Sequence, residues 1–205
     1  LNSMGILFSE MYDKDEALKY YNQAIEVYQE LATKQPGHFT HYLATSIHNL
    51  AILQDEKGDL KEAEESYKKA LVLREQLANK YPEAFDRDVC VTAMNLVTLY
   101  QQFFEKDQSP VFRQQAEKLL ADVKVKIQKY SPDEPVVQSI LSDHEYYVGF
   151  FQNATAEDLA VAKAFREVNA LTEDIHSTIK PVEKIVFQKK ILNLLIESVS
   201  EYPDN

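Results

Sequence analysis

The 205-residue chain has no tryptophan, one cysteine and four glycines. A single thiol, Cys90, excludes an internal disulfide and is compatible with a reducing, cytoplasmic compartment. The scarcity of glycine (Gly5, Gly37, Gly58, Gly149) argues against sheets, as does the rarity of valine or isoleucine alternating with polar residues. No apolar run reaches the roughly 18 residues that a membrane-spanning helix needs. Cations are also short: 22 Lys and Arg stand against 33 Asp and Glu, a net charge of −11. That balance disfavours broad binding to nucleic acid or to an anionic membrane, both of which need a cationic surface. Leu1 is not a start methionine, and Leu1–Tyr12 already reads as helix, so an excised fragment or a processed chain is expected.

What is present is a repeat. Apolar residues make up 45 % of the chain, enough for a packed core. The segment DKDEALKYYNQAIEVYQELATKQP (Asp13–Pro36) returns 46 residues later as DLKEAEESYKKALVLREQLANKYP (Asp59–Pro82). Ala17, Tyr21, Ala24 and Pro36 match Ala63, Tyr67, Ala70 and Pro82. Upstream, Leu1, Met4 and Gly5 match Ile47, Leu50 and Ala51. A third copy starts at VTAMNLVTLY, where Asn95 and Leu96 repeat Asn49 and Leu50. Its second helix arrives about seven residues late, with Ala116, Leu120 and Val123 at the small–large–small positions. A fourth, degenerate copy places Gly149, Val161, Phe165 and Val168 at the spacing of Ala51, Ala63, Tyr67 and Ala70.

Each copy reads as two antiparallel helices. The spacing predicts helices near 1–12, 14–34, 38–57, 60–80, 84–105, 111–130, 133–152, 156–175 and 179–201. Asp59, with Glu62 three residues on, has the form of a helix start. So do Ser131-Pro-Asp-Glu134 and Thr155-Ala-Glu-Asp158. Pro36, Pro82 and Pro132 are expected to stop the preceding helices. A helix pair cannot bury its apolar face alone. Small residues at Ala63 and Ala70 let a neighbouring helix approach, and Tyr67 fills the gap between them.

This pattern of Gly5/Ala51, Ala17/Ala63, Tyr21/Tyr67 and Ala24/Ala70 resembles a tetratricopeptide repeat (TPR), in longer units than the usual form. LATSIHNLAILQDEKGDLKEAEESYKKALVLRE (Leu43–Glu75) resembles the extended repeats of kinesin light chains and is similar to repeats of large bacterial signalling proteins. The resemblance implies an all-α fold: a right-handed α–α superhelix, or TPR solenoid, of about four helix pairs plus a C-terminal helix. Repeats are expected near 1–36, 38–82, 84–132 and 133–176, forming a solenoid over 1–177, with 178–205 as a C-terminal capping helix.

The resemblance also implies a concave face lined by the first helix of each pair. Register selects Asn2, Ile6 and Ser9, then Thr45, His48, Asn49, Ile52 and Asp55, then Val91, Met94, Asn95, Thr98 and Gln101. Asp143, Tyr146 and Phe150 follow from the fourth copy. Asn49 and Asn95 share one repeat position. Two readings stand: pairing with the backbone of an extended peptide, or bridging helices within the solenoid. Some relatives grip a C-terminal carboxylate with lysine and arginine. The matching positions here hold Asn2, Ser3, His48, Asn49, Val91 and Asn95, so that clamp is not expected.

Signals of chemistry are weak. His38 and His41 of HFTH could share a metal, yet no third ligand is evident, and His48 lies about 10 Å further along the helix. DKDE (Asp13–Glu16) lacks the glycine and closing glutamate of a calcium loop. Asp143, His144 and Glu145 point to different helix faces. Cys90, among Val89, Val91 and Met94, reads as a buried, inert thiol. Lys118, Lys124, Lys126 and Lys129 read as a solvated face or, in the alternative, a phosphate patch. No phosphate loop and no Ser/His/Asp arrangement is readable, so no cofactor and no enzymatic activity are expected.

The last segment, PVEKIVFQKKILNLLIESVSEYP, has Ile185, Leu192 and Val199 at intervals of seven, with Phe187, Ile191 and Leu194 broadening the apolar arc. Capping by packing, a homodimer contact, or a face for a further repeat all fit. The resulting expectation is a protein–protein interaction scaffold that holds a peptide or partner helix in the concave groove. The alternative is a regulatory or sensor segment of a larger signalling protein, packing on an adjoining effector domain.

Overall fold

A computed structural model describes residues 1–107 and 109–153. The described residues form seven helices and no strand: α1 (Asn2–Glu10), α2 (Lys14–Lys34), α3 (Pro36–Lys57), α4 (Leu60–Lys80), α5 (Pro82–Asp107), α6 (Pro110–Ile127) and α7 (Pro135–Asn153). The expected second half of the fourth copy and the C-terminal capping helix lie outside the described residues.

Neighbours in sequence are neighbours in space. α3 packs between α2 and α4, α5 between α4 and α6, and α7 against α6 and α5. The result is an all-α solenoid of stacked hairpins. Its core is the one that the repeat spacing predicts. Ala17, Ala24, Ala63 and Ala70 have no exposed surface, while Tyr21 and Tyr67 retain 3 % and 2 % of theirs. In the third hairpin Ala116, Leu120 and Val123 are buried at the corresponding places. The largest cluster runs from Ala51, Ala63 and Tyr67 through Val97, Leu99 and Leu120 to Val137 and Phe151. It spans α3 to α7, which makes two hairpins and α7 one packed body.

The inner and outer helices differ in how they meet. α1 touches α3 and α5 touches α7, and one side-chain bond spans each of the α1–α3, α3–α5 and α5–α7 junctions. Asn49 donates to Asn2 across 3.4 Å, Gln102 donates to Asp55 across 3.1 Å, and the Thr98 and Tyr147 hydroxyls lie 2.7 Å apart. Between the outer helices α2 and α4 there is instead an open cleft lined by Gln29, Lys68, Lys69, Val72 and Leu73, with Ile47 at its floor. α1, α3, α5 and α7 thus form an inner layer and α2, α4 and α6 an outer one.

Several local expectations change. Pro36 and Pro82 begin α3 and α5 rather than merely ending the helices before them. A first-turn proline sacrifices no intrahelical hydrogen bond. Pro132 lies in a loop, and the next helix starts at Pro135. There Ser131 accepts from Asp133 N in a local turn and does not cap α7. Asp13 caps α2 by accepting from Glu16 N at 3.2 Å, but Asp59 makes no side-chain cap bond. Part of the late arrival of α6 is taken up by α5, which at 26 residues exceeds the 22 of α3.

The two short turns repeat in detail. Tyr12 N donates to Ser9 O and Asp13 N to Phe8 O. Forty-six residues later Gly58 N donates to Asp55 O and Asp59 N to Gln54 O. Both turns need a left-handed residue, and Tyr12 (φ 61°) stands where the second copy has Gly58 (φ 80°). Such a φ is costly for a residue with a Cβ.

Candidate functional site

The inner face is built from the exposed sides of α1, α3, α5 and α7. Packing of the outer helices fixes which residues reach it. The expected groove residues divide into three groups.

Ile6 is exposed, Thr45 and Ile52 are half-buried, and Tyr146 is exposed on α7. These side chains are accessible to a ligand. Asn2, Asn49 and Thr98 are half-buried and held by bonds between inner helices, Asn49 to Asn2 and Thr98 to Tyr147. Asn95 faces the Tyr67 phenol, whose ionisation burial pushes far up and the Asn95 amide partly restores. For Asn49 the structure therefore contains the helix-bridging bond that was one of the two readings.

His48 and Met94 share a repeat position and are buried, with 6 % and 5 % of their surface exposed. They form the floor behind the face rather than its surface. The His48 ring meets Tyr67 edge-on, with centroids 5.8 Å apart. Burial first, and the nearby Arg74 guanidinium second, hold His48 down to about 3, so the ring is neutral. Its Nδ1 has no hydrogen-bond partner.

Arg74 was not anticipated at this floor. It lies on an outer helix, yet it is buried and donates to Asp88 O and Thr92 Oγ1 of α5. Its position had a signal: seven residues after Tyr67 and four after Ala70, it shares their buried helical face. Asp55 and Gln102 form a second polar pair, between α3 and α5. Burial raises the Asp55 carboxyl and the Gln102 amide partly opposes that rise.

Other sequence signals resolve structurally. Cys90 is fully buried, and burial pushes its thiol up to about 11, consistent with an inert side chain. Of the basic run, Lys126 and Lys129 approach the buried carboxylate of Asp86, at 3.2 and 3.6 Å, and Tyr130 donates to the same group. Beside it, Arg87 pairs with Glu134 and stacks on the Tyr130 ring. Among the described residues no three His, Cys, Asp or Glu side chains are grouped to hold a metal ion. No described helix is long and apolar enough to cross a membrane.

Stacked helix hairpins define an all-α helical-repeat fold. A family model described as tetratricopeptide repeat matches residues 1–33 and 43–85, so the first two hairpins are tetratricopeptide repeats. Repeats of this family mediate protein–protein interactions and are typically non-enzymatic. No curated protein matches the chain.

Proposed function

We propose that the chain is a non-enzymatic scaffold whose inner groove holds an extended peptide or a helix of a partner protein. The observation that carries this reading is the division of labour on the inner face. Asn2, Asn49, Asp55, Gln102, Thr98 and Tyr147 tie the inner helices to one another. Ile6, Thr45 and Ile52 remain on that face as apolar or small contacts at recurring positions. A rigid, preformed, partly apolar surface loses little entropy on binding.

The test is affinity capture from a lysate of the source cells, using the native chain, Thr45→Trp and Val72→Trp. The first substitution adds bulk to the inner face and the second to the outer cleft. A partner recovered by the native chain and by Val72→Trp, but lost with Thr45→Trp, is the expected result. Equal recovery by all three would remove the groove from the account.

A further inference from the structure

We infer that the occupant of the groove is a cationic segment, rich in lysine and arginine, of the partner protein; this rests on the groove reading above. The two layers of the solenoid differ in charge. The inner helices α1, α3, α5 and α7 hold ten carboxylates against three basic side chains, Lys57, Arg87 and Lys106, a net of −7. The outer helices α2, α4 and α6 hold ten carboxylates against twelve basic side chains, a net of +2. Asp86 is matched from the outer side by Lys126. Two of the three inner cations are matched within the fold: Lys57 lies 2.9 Å from Asp15 and Arg87 lies 2.7 Å from Glu134. The layer that lines the groove is therefore the anionic one.

Register places carboxylates on the groove side at the C-terminal ends of α1 and α3. Glu10 and Glu56 hold one repeat position and Asp55 the position before it. Glu10 and Glu56 line a cleft of about 490 Å³ together with Ser9, Tyr12 and Lys14. Lys14 donates to the Glu56 carbonyl at 2.8 Å and stands 3.9 Å from its carboxylate. The ends of the two helices add partial negative charge at this rim. Tyr12, 89 % exposed, offers an aromatic face on which an ammonium or guanidinium group can rest. At this rim the carboxylates of Glu10, Asp55 and Glu56 outnumber the one cation, Lys14, and such an excess draws in the opposite charge. An acidic segment would meet like charge, and an apolar one would strip water from carboxylates without replacing it.

The test selects binders from a display library of random short peptides on the immobilised chain, then measures the selected peptides by calorimetry at low and high salt. The expected pool is enriched in lysine and arginine and loses affinity as salt rises. The triple variant Glu10→Gln/Asp55→Asn/Glu56→Gln should weaken the selected peptides by about tenfold, a coupling on the order of that between close charge pairs. The variant Glu26→Gln/Glu62→Gln/Glu75→Gln makes the same change of net charge on outer helices and should leave binding within about twofold. Thermal melts check that both variants fold, and the composition of the pool decides the matter on the native chain alone. A neutral or acidic pool displaced by Thr45→Trp would overturn the cationic assignment and leave the groove standing. Equal weakening by both triple variants would overturn it as well. No enrichment, or a pool indifferent to Thr45→Trp, would overturn the groove itself and the inference with it.

Discussion

The Tyr21 ring occupies the space where a side chain at Gly5 would be. A Cβ built on Gly5 would stand 2.6 Å from Cδ1 and Cε1 of that ring. At the same two places the second hairpin has Ala51 and Tyr67, and the third has Val97 and Leu120. Gly5→Ala should destabilise the chain by about 1–2 kcal/mol, overpacking outweighing the gain in helix propensity. Gly5→Ala combined with Tyr21→Leu, which copies the smaller partner of the third hairpin, should recover part of the loss. Thermal denaturation of the single and double variants checks this. An unchanged midpoint in Gly5→Ala would contradict the contact.

Tyr67→Ala should be the more damaging change, at about 3–5 kcal/mol, because it empties a site between three helices. Chemical denaturation provides the measurement.

The left-handed turns make opposite predictions for two equivalent residues. Tyr12→Gly relieves a strained backbone at an exposed side chain and should stabilise by about 1 kcal/mol. Gly58→Ala introduces that strain and should destabilise by a similar amount. Melting curves of the pair should move in opposite directions.

His48 gives a pH dependence with a definite sign. In the unfolded chain the ring takes up a proton below about pH 6.5, whereas in the folded chain it stays neutral down to about 3. The unfolded state thus binds more protons across that window, and stability falls as pH falls from 6.5 towards 3. The loss between pH 6.5 and pH 5 should be on the order of 2 kcal/mol from this group. His48→Met, which copies Met94 of the next hairpin, should flatten the slope over that window. Parallel slopes in the two proteins would show that other groups set it.

Asp86 anchors the end of the third hairpin. Its carboxylate is buried, while Lys126 and Lys129 are partly solvated. Asp86→Asn should cost about 2 kcal/mol, less than a fully buried pair would. The effect should persist in high salt, because the carboxylate itself is shielded from ions.

Much of the fold was legible because one period writes it twice. Ala17, Tyr21 and Ala24 recur as Ala63, Tyr67 and Ala70, and burial alone explains that choice of residues. Helix starts were less legible. A proline that ends one helix also begins the next when only Gln35 or Tyr81 separates them. The inner face was legible as a set of positions but not as a set of roles. Asn49 bonds Asn2 instead of standing free, and His48 sits behind the face it was expected to line. Such differences depend on how far apart two helices lie, which no single helix encodes. Arg74 and Asp86 depend on partners 14 to 44 residues away, and spacing within one repeat does not reveal them.

The graded pairs Gly5–Tyr21, Ala51–Tyr67 and Val97–Leu120 decide where this chain can be cut and rejoined. Splices at Gln35 or Tyr81 carry each pair over intact. Splices that exchange segments between the Tyr12 turn and the α5–α6 connection would set Val97 against Tyr21, or leave Gly5 facing a leucine too small to fill its hollow. The hairpin, and not the single helix, is the smallest piece that duplication or exchange can move.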